Sequence, residues 1–239
     1  MNKLSERRAL LGRALAFGAL GALTGCDYDH PHHPDLADRA LRAMSSWNDR
    51  VQAALFDPAT LAPTYRPDQI TRPPRFNAYY DLDQVRVVDG ASWKLDLFGA
   101  VAEKRPWRLT ELRAAPQENQ ITRLICVEGW RVIGQWGGVP LHWFLRRIGA
   151  DLRARYVSVR CADGYYSSID MASALHPQTI LALDFLGRPL TPPFGFPVRL
   201  RIPTKLGFKN PKSLVALGVT NVDPGGYWED QGYNWFSGS

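Results

Sequence analysis

The chain has 239 residues, a formal net charge of +6, 45% hydrophobic residues and eight tryptophans. That apolar content can build a core, so global disorder is excluded, and the length allows one or two domains. Half of the net charge lies in residues 1–25, and no Lys/Arg run marks a nucleic-acid-binding face.

Residues 1–25 read MNKLSERRALLGRALAFGALGALTG. The apolar stretch Ala14 to Thr24 is eleven residues long. A bilayer-spanning helix needs about 20, so the stretch predicts an export signal rather than a membrane span. Arg7-Arg8 before Ala9-Leu10-Leu11 resembles a twin-arginine signal. LTGC, Leu23 to Cys26, resembles a lipoprotein processing site with Cys26 lipidated, and Asp27 resembles an inner-membrane retention signal. A plain secretory signal with an incidental cysteine is the alternative. The expectation is a chain exported already folded and anchored to the inner membrane, facing the periplasm. Paired cysteines tend to form disulfides in that oxidising compartment.

Residues 26–70 follow as a tether and a helix. His30, His32 and His33 sit in the polar tether, where a solvated linker competes with a metal site; their spacing matches no standard ligand set. From Asp35 to Phe56, apolar residues at Leu41, Met44, Trp47, Val51 and Leu55 predict an amphipathic helix, ended by Asp57-Pro58. A proline-rich linker leads into residues 71–239. There, strands are expected over Trp93 to Val101, Gln120 to Cys126, Arg155 to Cys161, Ile180 to Phe185, Pro197 to Ile202 and Ser213 to Val222. Val139 to Ile148 reads as a helix with Pro140 near its start, and Asp170 as the cap of a short helix. The stretch after Trp130 reads as a glycine-rich turn. The fold class is α+β, with mixed sheets and short helices after an N-terminal helix.

Three constellations bear on chemistry. Cys126 and Cys161 each end an expected strand. They are open to a disulfide, to a soft metal, or to a Cys–His nucleophilic pair with His142 or His176. Arg199, Arg201, Lys205, Lys209 and Lys212 fall within fourteen residues, Arg199 and Arg201 on one strand face. They form either a phosphate cradle or a solvated basic hairpin. RFNAYYDL, Arg75 to Leu82, is a polar-aromatic patch suited to a pocket wall or a packed turn.

ICVEGW, YYSSIDMASALHPQTILAL, PVRLRIPTKLGFKNPKSL and GGYWEDQGYNWF together resemble the molybdopterin-dependent oxidoreductases of the sulfite oxidase fold. Within them the chain is similar to the exported branch akin to the catalytic subunit of periplasmic methionine sulfoxide reductase. The resemblance implies a Mo-molybdopterin cofactor and oxygen-atom transfer, with reduction of an S- or N-oxide small-molecule substrate. It also implies a membrane haem subunit as electron source. It makes Cys126 the thiolate ligand of molybdenum. Asn77, Tyr80, Asp81, Arg199, Asn210, Pro211 and Lys212 become cofactor contacts. Two positions depart from the reductase: Cys161 stands where it has a threonine near the metal, and Phe194 where it has an asparagine. Those departures bear on substrate choice. Cys161 stays grouped with the cofactor contacts, and Glu128 and Trp130 lie beside Cys126, Glu128 as a proton-moving acid or a plain structural one. A non-catalytic lipoprotein with a Cys126–Cys161 disulfide is the competing reading.

Overall fold

The computed structural model describes residues 36–78 and 80–239. The segment expected to be an export signal, Cys26 and the three tether histidines lie outside the described residues. The chain divides into two units, Met1–Leu41 and Arg42–Ser239; the fold below is that of the second.

Helix α1, Leu36–Leu55, runs across that division. Then come β1 (Lys94–Gly99), β2 (Trp107–Arg108), α2 (Leu109–Ala114), β3 (Glu118–Ile125), β4 (Arg131–Pro140) and α3 (Leu141–Arg147). They are followed by β5 (Tyr156–Cys161), β6 (Tyr166–Asp170), α4 (Met171–Leu175), β7 (Ile180–Phe185), β8 (Arg188–Pro189), β9 (Arg199–Arg201) and β10 (Leu214–Thr220). The class is α+β, as expected.

Two five-stranded sheets carry the fold. One has the order β2-β1-β10-β5-β6, with β1 and β10 parallel and the other pairs antiparallel. The other runs β3-β4-β7-β8, with β9 also paired to β7, all antiparallel. In β1, Leu95 and Leu97 turn inward while Lys94 and Asp96 face water, the two-residue alternation of a half-buried strand. The main core joins Leu95, Val157, Val159, Leu217 and Val219 of the first sheet to Leu181, Leu183 and α3 residues Phe144 and Leu145. Burying each such side chain stabilises the fold by roughly 1.5–3 kcal/mol. Arg113 of α2 donates to both oxygens of Asp184 on β7 at 2.7 Å and so clamps helix to sheet. Asp170 caps α4 as expected, accepting from Ser173 N at 2.7 Å.

The stretch read as a glycine-rich turn is strand β4. Its glycines are there because the sheet is crowded. A Cβ at Gly138 would sit 2.1 Å from the Leu181 carbonyl oxygen of β7, and one at Gly134 would meet the Phe185 ring at 2.6 Å. The β4–β7 register shifts between Gly137 and Gly138.

Helix α1 forms over the expected span but presents the opposite face. Amphipathic helices ordinarily turn their apolar stripe to a core. Here the polar side meets the body: Asp49 accepts from the backbone N–H of Trp235 and Phe236, and Gln52 accepts from that of Gly238. Met44, Trp47 and Leu55 stay 67%, 62% and 79% exposed.

Candidate functional site

Strand β3 ends at Ile125, and the connection to β4 presents Cys126. Cys126 N–H donates to the Trp130 carbonyl at 2.9 Å, and Gly129 N–H returns to the Cys126 carbonyl at 3.0 Å. Gly129 has φ +86°, a left-handed conformation that glycine adopts without strain. The thiol is thus held by a pinned hairpin turn.

That turn is one wall of a cleft of about 540 Å³. Arg75 to Ala78 with Tyr80 to Leu82 forms a second wall, Gly207, Phe208 and Asn210 to Lys212 a third, and Asp163 with Tyr165 a fourth. Trp228 and Tyr233 close the rim. The first and third walls approach closely: a Cβ on Gly207 would lie 3.3 Å from the Ile125 carbonyl and 3.6 Å from Cys126 Cα. Tyr165 ties the fourth wall to the third, its hydroxyl donating to the Phe208 carbonyl at 2.7 Å. So the cleft collects Cys126, Glu128, Asn77, Tyr80, Asp81, Asn210, Pro211 and Lys212.

Arg199 and Cys161 are not on its surface. Arg199 is fully buried behind the wall, its Nη2 donating to Asn77 Oδ1 at 3.2 Å and its Nη1 to the Phe194 carbonyl at 3.5 Å. Its Nε has no partner. Cys161 is buried at the end of β5, and that burial pushes its thiol well above the usual range, with Asp163 adding to the rise. Cys126 is half-buried; desolvation raises its thiol, opposed by backbone N–H groups of Glu128 and Val127. Both thiols are free, so the Cys126–Cys161 disulfide does not form.

The Cys–His pair does not assemble either. His176 is a packed core histidine: its Nδ1 accepts from Gln178 N–H at 3.2 Å and its Nε2 lies 3.1 Å from the Thr60 carbonyl. His142 sits on α3, away from the cleft.

The basic cluster divides. Arg201 shares a face with Arg199, as a strand requires, and both guanidinium groups lie over Trp136 at 5.5 and 5.1 Å. Yet Arg201 is spent on Asn210 Oδ1 (2.8 Å) and the Arg123 carbonyl (2.7 Å), with longer bonds to Thr122 and Ile202. Lys205 pairs with Asp170 at 3.3 Å and donates to the Phe236 carbonyl at 2.8 Å. Lys209 pairs with buried Glu229 and donates to the Ser168 carbonyl at 2.8 Å. These three are structural rather than parts of an open phosphate cradle. Asn210 is structural too: its side chain holds Arg201, Ile202 N–H and the Leu206 carbonyl.

Lys212 differs. Its Nζ donates to the Pro193 carbonyl at 2.8 Å and lies 4.3 Å over the Phe76 ring. Burial, then the neighbouring Arg199 charge, lowers its pKa to about 6. Burial lowers Arg199 to about 10. Among the described residues neither cation has a carboxylate ion pair. Two adjacent buried cations without an anion are costly unless an anionic group joins them. At the mouth, Glu128 Oε2 accepts from Trp130 Nε1 at 2.7 Å, and Arg75 lies 4.5 Å over the Trp130 ring.

Residues 82–228 match the model of the oxidoreductase molybdopterin binding domain. The chain belongs to the oxidoreductase molybdopterin-binding domain family. It is 56% identical to a putative protein-methionine-sulfoxide reductase subunit, YedZ1, of Azospira oryzae, across 99% of this chain and 89% of that one. It is 30% identical to the protein-methionine-sulfoxide reductase catalytic subunit MsrP of Ralstonia nicotianae, across 93% and 71%. The fold is also that of the sulfane dehydrogenase SoxCD from Paracoccus pantotrophus. There the TM-score is 0.54 and the identity 18%, over 58% of this chain and 40% of that one. As a member of this family the protein is an enzyme, and its cofactor is Mo-molybdopterin.

The cleft fits that group on its own features. A half-buried thiol suits a soft metal. Arg199 and Lys212 suit the phosphate, and the unpartnered Arg199 Nε is a donor still to be satisfied. Asn77, Tyr80 and Asp81 offer polar groups on the facing wall. Asp163, Tyr165, Trp228 and Tyr233 lie outside the sequence expectations. Asp163-Gly164 is a hairpin dipeptide and would have located β6 and its turn; Trp228 and Tyr233 fall in GGYWEDQGYNWF, one of the stretches that carry the resemblance, with no site role attached to them.

Proposed function

We propose that this molybdopterin oxidoreductase reduces a sulfoxide, of the methionine sulfoxide type, at the inner membrane facing the periplasm. One arrangement carries the reading: a single thiol opening into a cleft whose far side holds two buried cations that have no carboxylate ion pair among the described residues. Two relatives named as protein-methionine-sulfoxide reductase subunits support the substrate class. Arg7-Arg8, LTGC and Asp27 support folded export and a lipid anchor at Cys26. The same relatives are named as subunits, which supports a partner subunit; the family resemblance implies that it is a membrane haem protein supplying electrons.

The bound cofactor supplies the two-electron chemistry of oxygen-atom transfer. This chain's residues do the rest. Cys126 would hold the metal as a thiolate, its proton released on binding. Arg199 and Lys212 would neutralise the phosphate, Arg199 being hydrogen-bonded to Asn77 Oδ1 at 3.2 Å. Tyr80, Asp81, Pro211 and the Asn210 backbone shape the pterin wall, and Cys161 packs behind it. Reduction of a sulfoxide consumes two protons with two electrons and releases water. The Glu128 carboxyl group, at the cleft mouth and oriented by Trp130, is placed to relay a proton from solvent, taking it up and passing it on.

Metal analysis and turnover test this. Purified from cells that make the cofactor, the protein should contain molybdenum and reduce methionine sulfoxide in preference to N-oxides, and should not oxidise sulfite. Cys126→Ser should lose at least about tenfold in bound molybdenum, since a hydroxyl is a poor ligand for a soft centre. Full metal loading in that variant would end the thiolate assignment.

A further inference from the structure

Helix α1 is attached by its polar side and leaves its apolar side bare. Asp49 and Gln52 bond to the backbone of Trp235, Phe236 and Gly238. On the other side Met44, Trp47 and Leu55 are mostly exposed, and Leu61, 57% exposed, carries the patch past the helix end. A soluble surface rarely leaves so many large apolar side chains together without a use.

We propose that this face of α1 lies in the interfacial layer of the inner membrane, against the lipid itself. Three features favour lipid over a protein groove. Met44 and Trp47 stand exposed on the helix, and tryptophan beside a cationic residue is the make-up of an interfacial helix. Arg50 flanks Trp47 on α1 and bonds only to the Ser46 carbonyl of its own helix, so its charge faces outward toward anionic headgroups. Chain length also limits the reach: the ten-residue step from Cys26 to Leu36 spans at most about 35 Å even when fully extended. No described helix is long and apolar enough to cross a membrane. A helix of this kind near a bilayer therefore lies on it. The inference rests on the proposed inner-membrane location, but the face would bind lipid with or without an acylated Cys26.

Trp47 reports on it directly. The full-length chain is added to phosphatidylethanolamine–phosphatidylglycerol vesicles whose acyl chains carry bromine, a contact quencher of tryptophan. A quenched component of the emission that disappears in Trp47→Phe is expected. Met44→Ser with Leu55→Ser should lower vesicle binding by about tenfold or more, the scale set by exposing two large apolar side chains. Equal quenching in wild type and Trp47→Phe would overturn the proposal. So would quenching that appears only once a second membrane protein is added, which would make that protein the occupant. A dimer in sedimentation that Met44→Ser abolishes, without lipid quenching, would assign the face to a second copy. The intact mass of the chain reads the anchor separately. Trp47 quenching with no lipid on Cys26 keeps this inference and removes the anchor; a lipidated Cys26 with unquenched Trp47 does the reverse.

Discussion

Five cations fall between Arg199 and Lys212, and they meet two different fates. Arg201, Lys205 and Lys209 are engaged by the fold: Lys205 and Lys209 by carboxylates at Asp170 and Glu229, and Arg201 by four neutral oxygens, its Nε left without a partner as in Arg199. Arg199 and Lys212 meet only neutral oxygens and ring faces. The residue types are the same and both fates occur along one short segment, the two open cations at its ends. What differs is whether the surroundings already engage the charged head, by carboxylates for Lys205 and Lys209 and by four neutral oxygens for Arg201. A buried cation with its partner in place is part of the scaffold; one without it is a receptor. Lysine and arginine content therefore says little about binding until the counter-charges are located.

The contrast can be broken by experiment. The largest effect is expected at Lys209→Met. It leaves Glu229 buried and unpaired and should cost about 3–5 kcal/mol in chemical denaturation, a large part of a typical domain's stability. Adding Glu229→Leu should recover much of that loss. If Lys209→Met folded as well as wild type and lost only the cofactor, the division of the cluster would be wrong.

Arg199→Met should do the opposite. Cofactor retention, read as molybdenum and pterin content, should fall by about tenfold to a hundredfold, the scale of lost charged hydrogen bonds. Stability of the cofactor-free protein should hold or rise, because an unpaired buried charge is gone. A fall in stability comparable to that of Lys209→Met would place Arg199 in the scaffold.

Lys212 gives a pH signature. Its folded pKa, about 6, lies below the ordinary lysine value of 10.5. The unfolded chain therefore binds the extra proton between those values, and the cost to folding is full below pH 6 and fades toward 10.5. Cofactor-free protein should gain stability as pH rises from 6 to 10. Lys212→Met should remove a part of that gain on the order of 1–3 kcal/mol, leaving the rise from Lys205 and Lys209, which are lowered in the same direction. The gentlest change is Asn77→Ala, which frees the Arg199 guanidinium to drift. A loss of about 0.5–1.5 kcal/mol, or a few-fold in cofactor retention, is expected in a titration of the cofactor-free protein. No change would show that Asn77 does not set the Arg199 geometry.

Local chemistry in the sequence was enough for much of this. β7 matched its expected span, and α1, β5 and β10 fell within two or three residues of theirs, because apolar periodicity reflects burial of one face. The cap at Asp170 and the position of Cys126 just after a strand were legible for the same reason. The motif resemblance correctly named the family and its cofactor. β4 was hidden, because three of its ten residues are glycines that signal a turn until the neighbouring strand is in place. Other matters were decided only by the folded chain. Which cations are spent depends on Asp170, Glu229 and Phe236, each about 20 to 40 residues away along the chain. Which side of α1 faces water depends on backbone N–H groups nearly 190 residues distant, which bond Asp49 and Gln52. Periodicity can say that a helix has two sides and charge can say that a segment is basic. Only long-range contacts supply the partner that makes a side inner or a charge complete.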